Sequence, residues 1–222
     1  MTTTTSTWLK TVAAAIVFAS TAPSALAGVI FSPGVAPAAG TVSSIRYALP
    51  GTVNGPAHTV TGRAGAAVKL VDFSGTDLLI TDDDPSSPPP PLVRSTDGTL
   101  SDMTIRMQDG GFTTFYFNLF MPFISRNPAG RYADISVLAY GGAVETFTQS
   151  LRNGNNLLTM TATGNTVLRS ISISTPFDIS DVRQSRIGGM QAVPVSEPAT
   201  AWIVGLGLLG FLTANSRRRS GR

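Results

Sequence analysis

Residues 112–120, FTTFYFNLF, alternate between apolar and polar side chains with a period of two. One side of the run carries the bulky apolar residues Phe115, Phe117 and Leu119, and the other side carries Tyr116 and Asn118. Successive side chains of a β-strand point to opposite faces of its sheet, so this period predicts a strand with one buried face. The run therefore favours an antiparallel sheet packed on an apolar core.

Similar runs continue on both sides of this stretch. Residues 100–107, LSDMTIRM, place Met103, Ile105 and Met107 on one face. Further strands are predicted at residues 42–49, 67–73, 78–80, 135–140, 144–151, 157–163, 167–174 and 181–187. No stretch of the domain has a sustained helical period. About eight to ten short strands predict an all-β fold, an antiparallel β-sandwich of the jelly-roll type.

Turn-forming residues separate these runs. Asn153 and Gly154 predict a hairpin that joins strands 144–151 and 157–163, because both residue types tolerate a positive φ. Gly164 and Asn165 predict a second hairpin, between strands 157–163 and 167–174. Residues 28–40 are rich in Gly, Pro and Ala and predict an extended or flexible start. Residues 82–91 predict a loop with polyproline II character.

The charged residues divide between the middle of the chain and its ends. The 222 residues include no cysteine and a single histidine, His58, which excludes disulfides and multi-histidine metal clusters. Residues 28–196 hold eleven Lys or Arg and twelve Asp or Glu, a net charge near −1. The excess positive charge lies at the two ends, on Lys10, Arg217, Arg218, Arg219 and Arg222. The domain therefore lacks the basic charge that nucleic-acid binding requires.

The first 27 residues have the pattern of a secretory signal peptide. Lys10 precedes the apolar run 12–19, and Pro23 ends it. Ala25 and Ala27 are the small residues that signal peptidase reads, so cleavage is predicted after Ala27. We expect a signal helix at residues 1–27, an exported domain at 28–192, and the secretion translocon and signal peptidase as partners.

The last thirty residues, 193–222, read VPVSEPATAWIVGLGLLGFLTANSRRRSGR. As a helix, the apolar run 199–214 spans roughly 24 Å, whereas the hydrocarbon core of a bilayer is about 30 Å thick. Its glycines weaken the helix further. Arg217, Arg218 and Arg219 form a stop-transfer cluster that stays on the cytoplasmic side. This pattern favours a transmembrane helix that serves as a temporary anchor.

The order of these features resembles the PEP-CTERM sorting signal of Gram-negative bacteria, which combines a Pro-Glu-Pro box, a short hydrophobic helix and an arginine cluster. The matching segments are residues 202–212 for the helix, Arg217, Arg218 and Arg219 for the cluster, and Glu197, Pro198, Ala199 and Thr200 for the box. Ser196 stands where the usual box has its first proline. Residues 155–159, 169–173 and 181–189 also resemble the closing strands of exported PEP-CTERM proteins, whose domains are similar in shape to carbohydrate-binding modules.

The resemblance implies recognition by an exosortase, a membrane transpeptidase-like enzyme that cuts near the box. It further implies transient anchoring in the inner membrane, delivery to the cell surface or extracellular matrix, and an association with exopolysaccharide.

Several residues are candidates for chemistry, and each has a plainer interpretation. Asp82, Asp83 and Asp84 suit a calcium ion, but adjacent carboxylates more often form a solvated loop tip. His58 has no Gly-x-Ser-x-Gly nucleophile motif to serve. Glu145 is the single glutamate between residues 28 and 196 and has no evident partner for glycoside hydrolysis. The sequence therefore predicts no catalytic residue, no metal and no cofactor.

Two candidates for ligand binding remain. Tyr116 points away from the apolar face of its strand and is the best single candidate for contact with a sugar ring. Arg183, Gln184 and Arg186 are candidates for contact with an acidic polysaccharide, although arginines on a strand are more often solvated or protect an edge.

Three interpretations of function follow. The first is a non-enzymatic envelope protein, sorted by an exosortase-like system, with a structural or polysaccharide-associated role. The second is a lectin-like or hydrolytic β-sandwich. The third is an unprocessed single-pass membrane protein. Carboxylates that converge on a concave face would favour the second, whereas a flat surface covered by Ser and Thr would favour the first.

Overall fold

The computed structural model describes residues 28–65, 69–83, 90–123 and 130–192. These residues form twelve strands, and every pairing between them is antiparallel. The strands are β1 (Val29–Pro33), β2 (Ser43–Arg46), β3 (Ala57–Ala64), β4 (Lys69–Asp82), β5 (Leu92–Ser95), β6 (Leu100–Met107), β7 (Thr114–Met121), β8 (Tyr132–Ala139), β9 (Val144–Ser150), β10 (Gly154–Ala162), β11 (Leu168–Ile179) and β12 (Asp181–Gly188). The predicted all-β, antiparallel character is confirmed.

The strands form one sheet in the order β1-β10-β7-β12-β2-β3-β4-β6-β11-β8-β9, with β5 paired to both β12 and β4. The two end strands of this path, β1 and β9, approach each other. The rings of Phe31 and Phe147 stack with their centroids 5.0 Å apart. The backbone N–H of Val29 donates to the Glu145 carboxylate at 2.9 Å. We call the junction between β1 and β9 the seam.

The inner face of the sheet encloses a single apolar core. Phe115, Phe117 and Leu119 of β7 are fully buried, as the alternation predicts. Met103 and Ile105 of β6 join them in the same cluster. A fully buried side chain of this size contributes roughly 2 kcal/mol through removal of its apolar surface from water.

The strand boundaries depart from the prediction where the hydrophobic pattern is interrupted. The predicted strands 67–73 and 78–80 are one long strand, β4. The core also includes Ile45 of β2, Val60 of β3 and Tyr47, which directly follows β2. The pattern missed β3 because its inward position 62 is a glycine. A Cβ there would lie 2.3 Å from the Ile45 side chain, so glycine is the residue that lets that side chain fit.

Both predicted hairpins are wrong. β9 pairs with β8 alone, and β10 pairs with β1 and β7. β11 pairs with β6 and β8, so it does not pair with β10. Gly154 and Gly164 do both have the positive φ on which the turn predictions are based. A tight turn determines where the chain bends, but long-range contacts determine which strand it then joins.

The two ends of the chain lie outside the described residues. Signal-peptide positions Ala25 and Ala27 belong to those ends, as do the tail residues Glu197, Pro198, Ala199, Thr200, Arg217, Arg218 and Arg219. Within the part of the chain that the structure describes, no helix is long and apolar enough to cross a bilayer.

Candidate interaction surface

A row of six hydroxyl side chains crosses the outer face of the sheet. Each residue in the row is the register partner of the next, on the adjacent strands β3, β4, β6, β11, β8 and β9. We call this set the hydroxyl row, and its members in order are Thr59, Ser74, Thr104, Ser172, Ser136 and Thr146. Neighbouring strands lie about 4.8 Å apart, so the row is roughly 24 Å long.

The hydroxyls of the row bond to one another in three pairs. Thr59 and Ser74, Thr104 and Ser172, and Ser136 and Thr146 each share a hydrogen bond of 3.0 Å. A hydroxyl has one donor and two acceptor lone pairs. One shared bond in each pair therefore leaves further acceptor and donor capacity within that pair. The row is a pre-ordered surface that can accept and donate hydrogen bonds along its length.

Carboxylates flank the row, and each is held by a hydrogen bond from a neighbouring residue. The hydroxyl of Thr148 donates to Asp134 at 2.6 Å, and the backbone N–H of Thr76 donates to Asp102 at 3.0 Å. On the opposite side of the row, Asp72 accepts a 2.8 Å bond from the Thr61 hydroxyl. The carboxylates are thus spread along the face and fixed locally, instead of converging on one point.

An exposed aromatic ring lies at one end of the same face. Tyr132 is on the same side of β8 as Asp134 and Ser136, and 37% of it is exposed. The ring packs edge-to-face against the ring of Phe177, with the two ring centroids 6.3 Å apart and an interplanar angle of 80°. Such a half-exposed, supported ring suits stacking on the apolar face of a sugar. We call the hydroxyl row together with Tyr132 the open face.

Sequence reasoning missed Tyr132 because the predicted strand began at residue 135, three residues too late. The signal was present, since Tyr132 continues the period of Asp134 and Ser136. It was hidden because the first inward residue of this strand, Ala133, has a small side chain.

The sequence-predicted contact residue Tyr116 lies on a different part of the outer face, on β7. Its exposure is only 5%. The Arg186 guanidinium lies 5.7 Å from the ring centroid, and the tyrosine hydroxyl donates to the Gln184 side chain at 3.4 Å. Burial raises the pKa of Tyr116, and the nearby Arg186 charge opposes that rise. The ring therefore offers little free surface for stacking.

The three other predicted contact residues lie beside it, on β12. Arg183 forms a two-point ion pair with Asp181, one bond of which is 2.7 Å, and its guanidinium lies 3.5 Å above the Phe120 ring. Gln184 has a φ of 55° where the pairing of β12 with β7 shifts register. β12 is an interior strand, so its arginines do not protect an edge. We call Tyr116, Asn118, Phe120, Arg183 and Arg186 the covered face.

A small cleft of about 370 Å³ opens near the seam. Its walls include Pro33, Gly34, Gln149, Arg152 and Asn156. The Asn156 side chain fixes the loop before β10, because it accepts from the Arg152 N–H at 2.8 Å and donates to the Arg152 carbonyl at 2.9 Å. The wall of the cleft at Asn156 is therefore held in place by hydrogen bonds.

Of the remaining candidates, Asp83 has a structural role. Asp83 accepts the backbone N–H of Tyr47 at 2.7 Å and lies 3.5 Å from the Arg46 guanidinium, so it is not part of a solvated tip. Asp82 is exposed at the end of β4, and Asp84 lies outside the described residues. His58 is exposed on β3 instead of in a loop. Among the described residues, no group of three His, Asp or Glu is placed to hold a metal.

Comparison with known proteins gives no family assignment: no protein-family model matches the chain, and no curated protein shows significant similarity to it.

Proposed function

We propose that this chain is a non-enzymatic envelope protein of a Gram-negative bacterium that associates with exopolysaccharide through its open face. A signal peptide, residues 1–27, directs export, and the helix at 199–214 holds the protein briefly in the inner membrane. An exosortase-like enzyme cuts near Glu197, Pro198, Ala199 and Thr200. The domain at 28–192, a jelly-roll-like β-sandwich, is then delivered to the cell surface or matrix.

The hydroxyl row is the observation that carries the role of the domain. Six register-aligned hydroxyls present a regular series of donors and acceptors over roughly 24 Å. An extended polysaccharide is a linear array of hydroxyls and ring oxygens, which such a series can bond at several points. Tyr132 adds a ring on which one sugar can stack.

The hydrogen bonds that the carboxylates accept favour a binding role over glycoside hydrolysis. Glycoside hydrolysis needs two carboxyl groups that flank one bond. Here Asp72, Asp134 and Asp181 each hold a neighbouring side chain, and Glu145 holds the N–H of Val29 at the seam. These groups stabilise the fold locally instead of forming a pair.

Processing is tested by intact-mass analysis of the protein recovered from the surface of the producing cells. We expect a chain that begins at Gly28 and lacks Arg217, Arg218 and Arg219. A product that still ends in Arg222 would show that the chain is an unprocessed membrane protein and would overturn the sorting proposal.

Binding is tested on an array of neutral and acidic bacterial polysaccharides, with the chain from Gly28 onward kept in detergent. Loss of one stacking contact is worth about 1 kcal/mol, so we expect Tyr132→Ala to weaken binding roughly fivefold. Thr104→Val, which removes one hydroxyl of the row, is expected to weaken it less. Phe123→Ala is the matched control, since Phe123 is 86% exposed and lies outside the open face. Equal loss in Phe123→Ala and Tyr132→Ala would contradict the assignment.

A further inference from the structure

The first residues of the exported domain lie against two polar side chains at the seam. The Gly28 backbone N–H donates to the Thr163 hydroxyl at 3.2 Å, and that hydroxyl donates to the Gly28 carbonyl at 2.9 Å. The Thr163 N–H also donates to the Gly28 carbonyl at 2.9 Å. Gly28 is therefore fixed at the point where the predicted signal peptide ends.

Glu145 reaches the same point from the other end strand. Its carboxylate accepts the Val29 N–H at 2.9 Å, across 116 residues of sequence. A Cβ built on Gly28 would lie 3.7 Å from the same carboxylate oxygen, so the Gly28 backbone and the Glu145 carboxylate are close neighbours. No described ion pair involves Glu145. Its half-buried negative charge lies beside a neutral peptide group.

Removal of the signal peptide changes the charge at this point. Hydrolysis of the Ala27–Gly28 peptide bond uses one water, leaves a carboxylate on Ala27 and leaves an amine on Gly28. An α-amino group has a pKa of about 8, so this amine carries a proton at neutral pH. It then has three donors where the peptide nitrogen had one.

We propose that Glu145 and Thr163 form a binding site for the α-ammonium group of Gly28 that export creates. Thr163 accepts one N–H of the ammonium, and the Glu145 carboxylate accepts another while it retains the Val29 N–H. The ion pair joins β1 to β9 and fastens the seam. The fold is therefore completed only when the signal peptide has been removed. This inference rests on the proposed cleavage after Ala27.

The test compares two chains made with defined first residues, one that begins at Gly28 and one that begins at Ala27, both with their natural C-terminus and kept in detergent. The chain that begins at Gly28 should melt roughly 2–4 °C higher, as expected for an ion pair in a domain of this size. Glu145→Gln should remove that difference, because glutamine can still accept the Val29 N–H but carries no charge. Asp178→Asn, at an exposed carboxylate of β11, is the control for charge and should affect both chains alike.

Equal melting temperatures for the two starting points would overturn the inference. So would an equal effect of Glu145→Gln in both chains. Because these chains are made with their first residue fixed, the result does not depend on processing in cells. If the native protein begins elsewhere than Gly28, the proposed export processing fails, while the melting comparison still decides whether the ammonium site exists.

Discussion

The open face and the covered face belong to the same sheet and show the same alternation in sequence, yet they differ in what lies over them. On the covered face, Tyr116 is 5% exposed and lies beside a guanidinium from β12. On the open face, Tyr132 is 37% exposed, and half-buried or exposed hydroxyls fill the strands beside it. The polar residues that alternate with core residues are therefore either packed against other side chains, as on the covered face, or left open to solvent, as on the open face.

The two faces differ because their polar side chains have different hydrogen-bond partners. On the covered face, Asn118 is 1% exposed, accepts the Asn156 N–H at 2.8 Å and donates to Asn155 at 2.7 Å. Buried polar groups are stable only when they are hydrogen-bonded, so this face uses its polar groups internally. On the open face the hydrogen bonds between described residues join the hydroxyls of the row in pairs, and capacity remains for a ligand.

The largest expected difference between the faces is in stability. Tyr116→Ala removes a nearly buried ring and should lower the free energy of unfolding by about 3 kcal/mol. Tyr132→Ala removes a ring that is already partly in water and should lower it by about 1 kcal/mol. Chemical denaturation of both variants measures this contrast. Equal losses would mean that the two faces are packed alike.

A smaller difference in stability is expected between variants of two residues that line the cleft. Asn156→Ala breaks bonds to the Arg152 N–H and to three carbonyls, those of Leu119, Arg152 and Gly154, and should cost about 2 kcal/mol. Gln149→Ala, on the same cleft, removes a side chain that donates to the Ser150 carbonyl of the adjacent residue and should cost less than about 0.5 kcal/mol. Thermal unfolding compares them, and a Gln149 effect as large as that of Asn156 would contradict the role given to the asparagine.

Alkaline pH separates a buried tyrosine from an exposed one. Burial raises the pKa of Tyr47 well above a tyrosine's ordinary value of about 10, and the Ser185 side chain near its hydroxyl opposes that rise only in part. Above pH 10 the unfolded chain loses this proton while the folded chain retains it. Stability should therefore fall as pH rises, by up to about 1.4 kcal/mol per pH unit.

Tyr47→Phe should remove the part of the fall in stability above pH 10 that the Tyr47 proton causes. It should change stability at neutral pH by less than about 1 kcal/mol. Tyr132→Phe is the control and should leave the decline in place. Denaturant midpoints between pH 8 and about 11 measure both. An unchanged decline in Tyr47→Phe would show that the buried hydroxyl is not its source.

The sequence predicts which faces of the strands are buried, but it does not predict which strands pair with one another. The faces of β6 and β7 follow from a period of two, which depends only on neighbouring residues. The pairing of β10 does not, because its partner β1 aligns Val29 with Ala162, more than 130 residues away. For the same reason, the alternation does not show which of the two outward tyrosines, Tyr116 or Tyr132, is free of contacts. Arg186, which lies over Tyr116, is 70 residues distant, so the alternation alone could not show that this ring is covered.

Hydrogen–deuterium exchange with and without surface polysaccharide from the producing cells tests most directly whether the open face is the interaction surface. β8 and β9 carry the end of the hydroxyl row and Tyr132, and β9 ends the sheet, so its outer amides exchange readily in the free protein. We predict that the polysaccharide slows exchange in residues 132–150 and leaves residues 114–121 and 181–188 unchanged. Protection confined to residues 114–121 and 181–188, or no protection anywhere in the domain, would contradict the account.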